Sequence, residues 1–279
     1  KACVQRAFHF RGIMVQELIK NAKRIVFKFG TNVLTADEGG LALSRIYAFM
    51  EDMARLKAKG KEIIVITSGA VGLGAQRLGL KEMPDLVSIK QACAAVGQCR
   101  LMKFYEDGFA ALGLTTAQVL LTEDDFSIRP RYLSLRDTLS RLLELGVVPI
   151  INQNDTVSTN ELRAYKQNGV KVCFSDNDKL SALVAGGLDA DLLVILSDIN
   201  GLYNADPRKD KNAKLITEVK QVTPEIEAAA GGASKRGRGG MRTKLEAAKV
   251  ATHAGCAMVI ANGKKPGALG RVFTDEFEG

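Results

Sequence analysis

Two kinds of hydrophobic run alternate along the 279-residue chain. Arg24–Phe29 is a short apolar run closed by Gly30, and Glu62–Thr67 is continuous and rich in β-branched residues. Runs of this length suit parallel strands covered on both faces. Further strands are predicted at Leu114–Leu121, Val147–Ile151, Asp191–Leu196 and Ala257–Ala261. Between them the period changes. Leu41–Lys59 has apolar residues at 43, 46, 49, 50, 53 and 56, which is helical spacing, and Gly60 stops it. Helices are also predicted over Gly69–Leu78, Ser88–Gly113 (as one or two), Arg129–Leu145, Ser175–Gly187 and Met241–Gly255. Asp124–Asp125 are placed to cap the helix through Arg129, with Pro130 confining its regular part to the residues beyond it. Leu18–Arg24 reads as a lead into the first strand.

Strands and helices alternate from end to end, with no Pro-, Gly- or Ser-rich linker and no internal repeat. This predicts an α/β fold: a mostly parallel sheet with helices on both faces. The organisation expected is an N-terminal extension, 1–23, followed by a single domain, 24–279. In such sheets ligands sit outside the carboxyl ends of the strands, so chemistry is sought there.

Composition narrows the classes. At 46% hydrophobic and 25% charged, the chain is neither disordered nor, with its aperiodic glycines, collagen-like. No apolar run reaches the roughly 18 residues of a membrane span. The five cysteines are scattered without a CxxC, against a disulfide framework or structural zinc and in favour of a reducing compartment. The formal charge of +8 raises a nucleic-acid or anionic-ligand reading. Six basic residues and one acid lie in residues 1–24, which suits a transit-type leader or a simple lead-in. The start at Lys1 is consistent with trimming.

Each strand end carries polar chemistry. Lys28, before Gly30-Thr31-Asn32, is either a phosphate cation or a lysine snorkelling from a strand end. Thr67-Ser68-Gly69-Ala70-Val71-Gly72 is a glycine turn into a helix, suited to close backbone approach or to tight turning alone. It lacks the Lys-Ser/Thr of a P-loop and the third glycine of a dinucleotide fingerprint. Asn152-Gln153-Asn154-Asp155 ends a buried strand, as an Asx-rich turn or a site in which Asp155 pairs with a substrate ammonium. Asp176-Asn177-Asp178 precedes a helix. Asp176 is a candidate N-cap, and Asp178 could orient lysines or hold a hydrated Mg²⁺. Ser197-Asp198 repeats the pattern. Arg236–Lys244 joins a basic glycine loop to a helix, an anion-binding candidate or a solvated loop.

Several signatures are missing: HExxH, a GxSxG elbow, and the HRD that would accompany a kinase-type DFG. His9 and His253 are the only histidines. Cys93 and Cys99 read as helix-core residues. Lysines, glycine loops, helix N-termini and acids together suit phosphoryl transfer, where positioning and charge neutralisation are the main work.

These segments, in this order, resemble the amino-acid kinase family, in particular its glutamate 5-kinase branch and the kinase half of bifunctional pyrroline-5-carboxylate synthases. The carrying residues are Val26–Thr31, Val65–Val71, Ala94-Ala95-Val96-Gly97-Gln98, Pro149–Asp155, Ser175–Asp178, Leu196-Ser197-Asp198 with Gly201-Leu202-Tyr203, and Gly239–Lys244. The match runs over roughly residues 24–273. It implies a three-layer α/β/α sandwich that uses ATP, with Mg²⁺, to phosphorylate the γ-carboxylate of L-glutamate, the first step of proline synthesis. It implies Lys28, Lys244 and Asp178 as catalytic, Asp178 orienting the two lysines. Ser68, Gly69, Asn152, Asp155 and Asn177 are implied as glutamate contacts. Lys28, Ser197, Asp198, Arg238, Gly239, Gly240, Met241 and Lys244 are implied on the nucleotide side. No protein-held metal is implied. Family membership carries the further expectations of proline feedback, a homo-oligomer and a cytoplasmic location, or a mitochondrial one for a bifunctional enzyme. Another carboxylate or carbamate kinase is the alternative within the fold, and an RNA-binding module the alternative outside it.

Three departures stand out. Gln153 occupies a position where many members have Glu, Arg238 one where Thr is frequent, and 156–175 is a longer connection than in short bacterial kinases. Charge placement weighs against a nucleic-acid partner. Residues 1–24 contribute +5 and 234–244 another +5, so the rest of the chain is 8 − 10 = −2. The excess is one terminal segment and one loop, not a broad basic face.

Overall fold

The computed structural model describes residues 15–36, 40–157, 177–205, 207, 210–229, 240–274 and 277. All six predicted apolar runs form strands: β1 (Arg24–Phe29), β2 (Glu62–Ile66), β3 (Thr116–Leu121), β4 (Val148–Gln153), β5 (Leu192–Ser197) and β8 (Ala257–Asn262). They pair side by side in the order β3-β4-β2-β1-β5-β8, and every pairing is parallel. The connections leave β1 in one direction and β5 in the other. The crevice between their carboxyl ends is therefore the switch point where such sheets bind ligands. A separate two-stranded antiparallel ribbon is made by β6 (Leu202–Tyr203) and β7 (Leu215–Ile216).

Helices cover both faces. α1 (Val15–Asn21), α2 (Thr31–Leu34), α3 (Leu43–Ala58), α4 (Ala70–Arg77), α5 (Val87–Ala111) and α11 (Ala268–Val272) bury apolar residues in the first core. That core takes Ile25, Phe27 and Phe29 from β1 and Ile63 and Val65 from β2. α7 (Arg129–Glu144), α8 (Asn177–Gly187) and α10 (Met241–His253) build the second core on Val26, Ile64, Ile66, Leu193 and Ile195. Two short helices, α6 (Asp124–Ser127) and α9 (Pro224–Ala229), complete the described elements. The result is the three-layer α/β/α sandwich expected. The strand period of two then assigns the polar ends. Lys28 shares the parity of Val26 and belongs to the α8/α10 side. Thr67 and Asn152 continue the first core toward α5.

Several details depart from the sequence expectations. Leu18–Asn21 is not a lead-in but part of α1, and its Ile19 is buried in the first core. Ser88–Gly113 resolves into the single helix α5. Asp124 and Asp125 do not cap the helix after them. They form α6, and the Asp125 carboxylate accepts hydrogen bonds from the Thr122 backbone N–H (2.7 Å) and hydroxyl (2.9 Å). The N-cap of α7 is Ile128, without a side-chain bond, and Pro130 lies inside the first turn, where a missing N–H costs nothing. Asn152 and Gln153 belong to β4 rather than to a turn, because β3 pairs with them. Cys93 is buried as expected, but Cys99 is exposed. No helix among the described residues is long and apolar enough to cross a membrane.

Candidate active site

At the carboxyl ends of β1 and β2 and the N-termini of α8 and α10, two lysines share one carboxylate. Lys28 Nζ is 2.6 Å from Asp178 Oδ1 and Lys244 Nζ is 3.1 Å from Asp178 Oδ2. Asp178 is fully buried, and each lysine is 3% exposed. The snorkelling alternative for Lys28 is thereby excluded. The Thr243 hydroxyl also lies 2.9 Å from Asp178 Oδ2. Burial alone would raise the Asp178 pKa, but the Lys28 and Lys244 ammoniums outweigh it and hold the carboxyl below its ordinary value. Asp178 therefore stays ionised and serves to fix two cations. Lys28 arrives on an inflexible strand, and Lys244 and Asp178 on the first turns of two helices that pack on each other.

Beside this trio lies a cluster of amides and hydroxyls. The Asn177 amide nitrogen faces the Thr67 carbonyl (2.6 Å), Asn152 Oδ1 (3.0 Å) and Ser68 Oγ (3.1 Å). Ser68 donates its hydroxyl to the Phe29 carbonyl at 3.1 Å. Asn152 Nδ2 donates to Gln98 Oε1 of α5 at 2.9 Å, and Asn152 Oδ1 accepts the Gln153 backbone N–H at 2.9 Å. Tyr105, two turns beyond Gln98, hydrogen-bonds the Thr67 hydroxyl at 3.0 Å. Burial drives the Tyr105 phenol pKa upward, so Tyr105 is neutral. Gly69 begins α4 with φ of 95°, a left-handed conformation that favours glycine and turns the chain sharply at the strand end. Asp155 is half-buried just after β4.

A third group lies at the end of β5. Asp198 accepts a hydrogen bond from Asn32 Nδ2 at 2.9 Å, and the Ser197 hydroxyl is 3.3 Å from its other oxygen. Burial opposes ionisation of Asp198, but these bonds and the Lys244 charge keep its pKa below the usual range. Gly240 is the N-cap of α10 and Met241 its first residue. Asp176, Arg238 and Gly239 lie outside the described residues.

Sequence reasoning therefore pointed to Lys28, Asp178 and Lys244, which the structure joins in one ion-paired unit, and to Ser68, Asn152 and Asn177, which it joins in one hydrogen-bonded unit. It missed Thr243, Asn32, Gln98, Thr67 and Tyr105 as partners of those groups. The first four sit inside runs already singled out, but only tertiary contact assigns them a bond. Among the described residues no group of three or more His, Cys, Asp or Glu comes together as a metal site. The Asp178 oxygens lie against ammoniums and Asp198 takes hydrogen bonds, so this donor set suits a cation carried by a bound polyphosphate better than a carboxylate cage.

Residues 23–262 match the amino acid kinase family. The chain is also 49% identical over 252 residues to a protein named glutamate 5-kinase in Myxococcus xanthus, covering 90% of this chain and 64% of that one. It is 48% identical over 263 residues to the glutamate 5-kinase of Cupriavidus metallidurans, covering 94% and 68%. A third of that name, from Carboxydothermus hydrogenoformans, is 48% identical over 249 residues, covering 88% and 64%. The chain thus spans about two thirds of the length of these relatives. With a parallel sheet in three layers, paired lysines at its switch point and a family match over most of its length, the chain belongs to the amino acid kinase family.

Proposed function

We propose that this chain transfers the γ-phosphoryl group of ATP to the γ-carboxylate of L-glutamate, giving L-glutamyl 5-phosphate and ADP, the first step of proline biosynthesis. The observation that carries this reading is the buried Lys28–Asp178–Lys244 unit beside the Ser68–Asn152–Asn177 cluster. The names of the relatives point to the same substrate.

The acceptor needs no general base, because a γ-carboxylate is already ionised at neutral pH. One of its oxygens bonds to the γ-phosphorus as the bond to the bridging oxygen breaks, and the electron pair leaves with ADP. Charge spreads over the equatorial oxygens of the transferring group. Lys28 and Lys244 neutralise it there. Asp178 holds both ammoniums in place beforehand, so no reorganisation is needed during the reaction. Ser68, Gly69, Asn152, Asp155 and Asn177 hold glutamate. Ser197, Asp198 and the segment leading into α10, with Arg238, Gly239, Gly240 and Met241, hold the nucleotide. Mg²⁺, when bound through the ATP phosphates and water, supplies further charge neutralisation. Residues 24–279 act as one kinase domain in this reading, and a homo-oligomer, feedback by proline and a cytoplasmic setting accompany it.

The test is ADP release that requires both glutamate and Mg²⁺, with N-acetylglutamate, aspartate and carbamate as competing acceptors. Lys28→Ala and Lys244→Ala should each lower kcat by about 100-fold or more, with circular dichroism unchanged. Near-normal turnover in either variant, or preference for another acceptor, overturns the assignment.

A further inference from the structure

The amide orientations in the cluster beside the lysines are fixed by backbone groups. The Gln153 N–H can only donate, so the Asn152 atom facing it is Oδ1. Its other terminal atom is Nδ2, which makes the facing Gln98 atom an acceptor, Oε1. The Thr67 carbonyl can only accept, so the Asn177 atom facing it is Nδ2. Likewise the Phe29 carbonyl takes the only proton of the Ser68 hydroxyl. The Asn177 nitrogen is thus turned onto three protein acceptors, leaving Oδ1 as the amide atom for a ligand. Ser68 has a lone pair to offer and no proton.

We propose that Asn177 reads the amino group of the substrate through Oδ1, rather than a carboxylate through its N–H, and that Gln98 is a positioning residue for this polarity. The inference rests on the glutamate reading above and deepens it. Asn177 Oδ1, the Ser68 lone pair and the Asp155 carboxylate are all acceptors, and the ammonium is the only hydrogen-bond donor of glutamate at neutral pH. The carboxylate end of the same helix turn, Asp178, faces the lysines instead. Gln98 acts one layer back. Its Oε1 holds Asn152, whose Oδ1 faces Asn177. Its Nε2 is buried without a partner among the described residues. Exchanging that nitrogen for oxygen therefore loses no hydrogen bond to the described residues.

The experiment compares two truncated acceptors as competitive ligands of the full chain. Glutarate lacks the amino group, and 4-aminobutyrate lacks the α-carboxylate. Asn177→Ala should weaken glutamate and 4-aminobutyrate by about 10-fold or more, the scale of a hydrogen bond to a charged group, and leave glutarate unchanged. The opposite pattern, with glutarate weakened and 4-aminobutyrate spared, overturns the proposal, as does equal weakening of both. Gln98→Met, which contacts no ligand, should shift the same ratio in the same direction and less, without changing the KM for ATP. Gln98→Glu should restore it most fully at low pH, where the new carboxyl is neutral and still offers a carbonyl oxygen. If Gln98→Met leaves the ratio untouched, its positioning role is refuted. Absence of glutamate phosphorylation by the unaltered chain would refute the parent reading instead.

Discussion

A methyl group added at Gly97 would fall 1.7 Å from the Ala70 carbonyl oxygen, 2.6 Å from the Gly74 nitrogen and 2.7 Å from the Ala70 carbonyl carbon. Every one of these atoms is backbone, so no rotamer change relieves the clash. Unstrained contact needs about 3.5 Å, so α4 and α5 would have to part locally by nearly 2 Å. Overpacking against rigid neighbours costs up to about 3 kcal/mol. The greater helix propensity of Ala returns about 1 kcal/mol. The net loss of about 2 kcal/mol lowers Tm by about 4–8 °C. Two other glycines make controls. At Gly72 an added methyl meets nothing within 4 Å, so Gly72→Ala should be neutral or stabilising. At Gly108 the first contact is the Met50 sulfur at 2.3 Å, the mobile end of a side chain, so Gly108→Ala should cost less than Gly97→Ala. Gly97 adjoins Gln98, and the added methyl meets Ala70, the residue directly after the Ser68–Gly69 turn, so the KM for glutamate should rise. Differential scanning calorimetry and steady-state kinetics on the three variants decide the matter. A Gly97→Ala protein that melts at or above the Gly72→Ala protein would refute the argument.

Two further predictions concern the ion-paired trio. Asp178→Asn removes the one carboxylate that two buried ammoniums share, so unfolding by urea should show a loss of about 3–5 kcal/mol; kcat should fall while calorimetric glutamate affinity, set by other residues, persists. The acid limb of stability follows from the depressed pKa of Asp178. A carboxyl lower in the folded than in the unfolded chain stabilises above the unfolded value, and this stability is lost as pH falls through the folded value. Stability should therefore decline below about pH 4, by less in Asp178→Asn than in the unaltered chain, and an equally steep acid limb in the variant would refute the assignment.

Most of the frame was legible because buried parallel strands leave a continuous apolar signature. Ile63–Ile66 and Leu192–Leu196 could hardly be anything else. α1 and α2 were missed because helices of seven and four residues carry too few turns to show a period. The Asp124–Asp125 cap was misjudged because Asp125 has a closer competitor for its carboxylate, the Thr122 N–H three residues back. In the site, Lys28 announced itself as a charge at the end of an apolar run, and Asp178 and Lys244 as charges where a polar segment enters a helix. Gln98 and Tyr105 did not, since a polar residue on a helix face looks the same in sequence whether it meets solvent or a strand end 38 or 54 residues away.

The alternation of faces along the strands has a bearing on how such an enzyme can change. Thr67 and Asn152 are supported from the α5 layer, while Lys28 answers to Asp178 and Lys244 in the opposite layer. A sheet of six strands stands between the two supports. Substitutions in the α5 layer can thus alter how Thr67 and Asn152 are held without touching the Lys28–Asp178–Lys244 unit, whereas Asn177, which bonds the same strand ends, stands on α8 beside Asp178. Under the proposed function, the α5 layer is therefore the one free to drift under selection for acceptor specificity, while the first turn of α8, with Asn177 and Asp178 side by side, answers to acceptor and phosphoryl group at once.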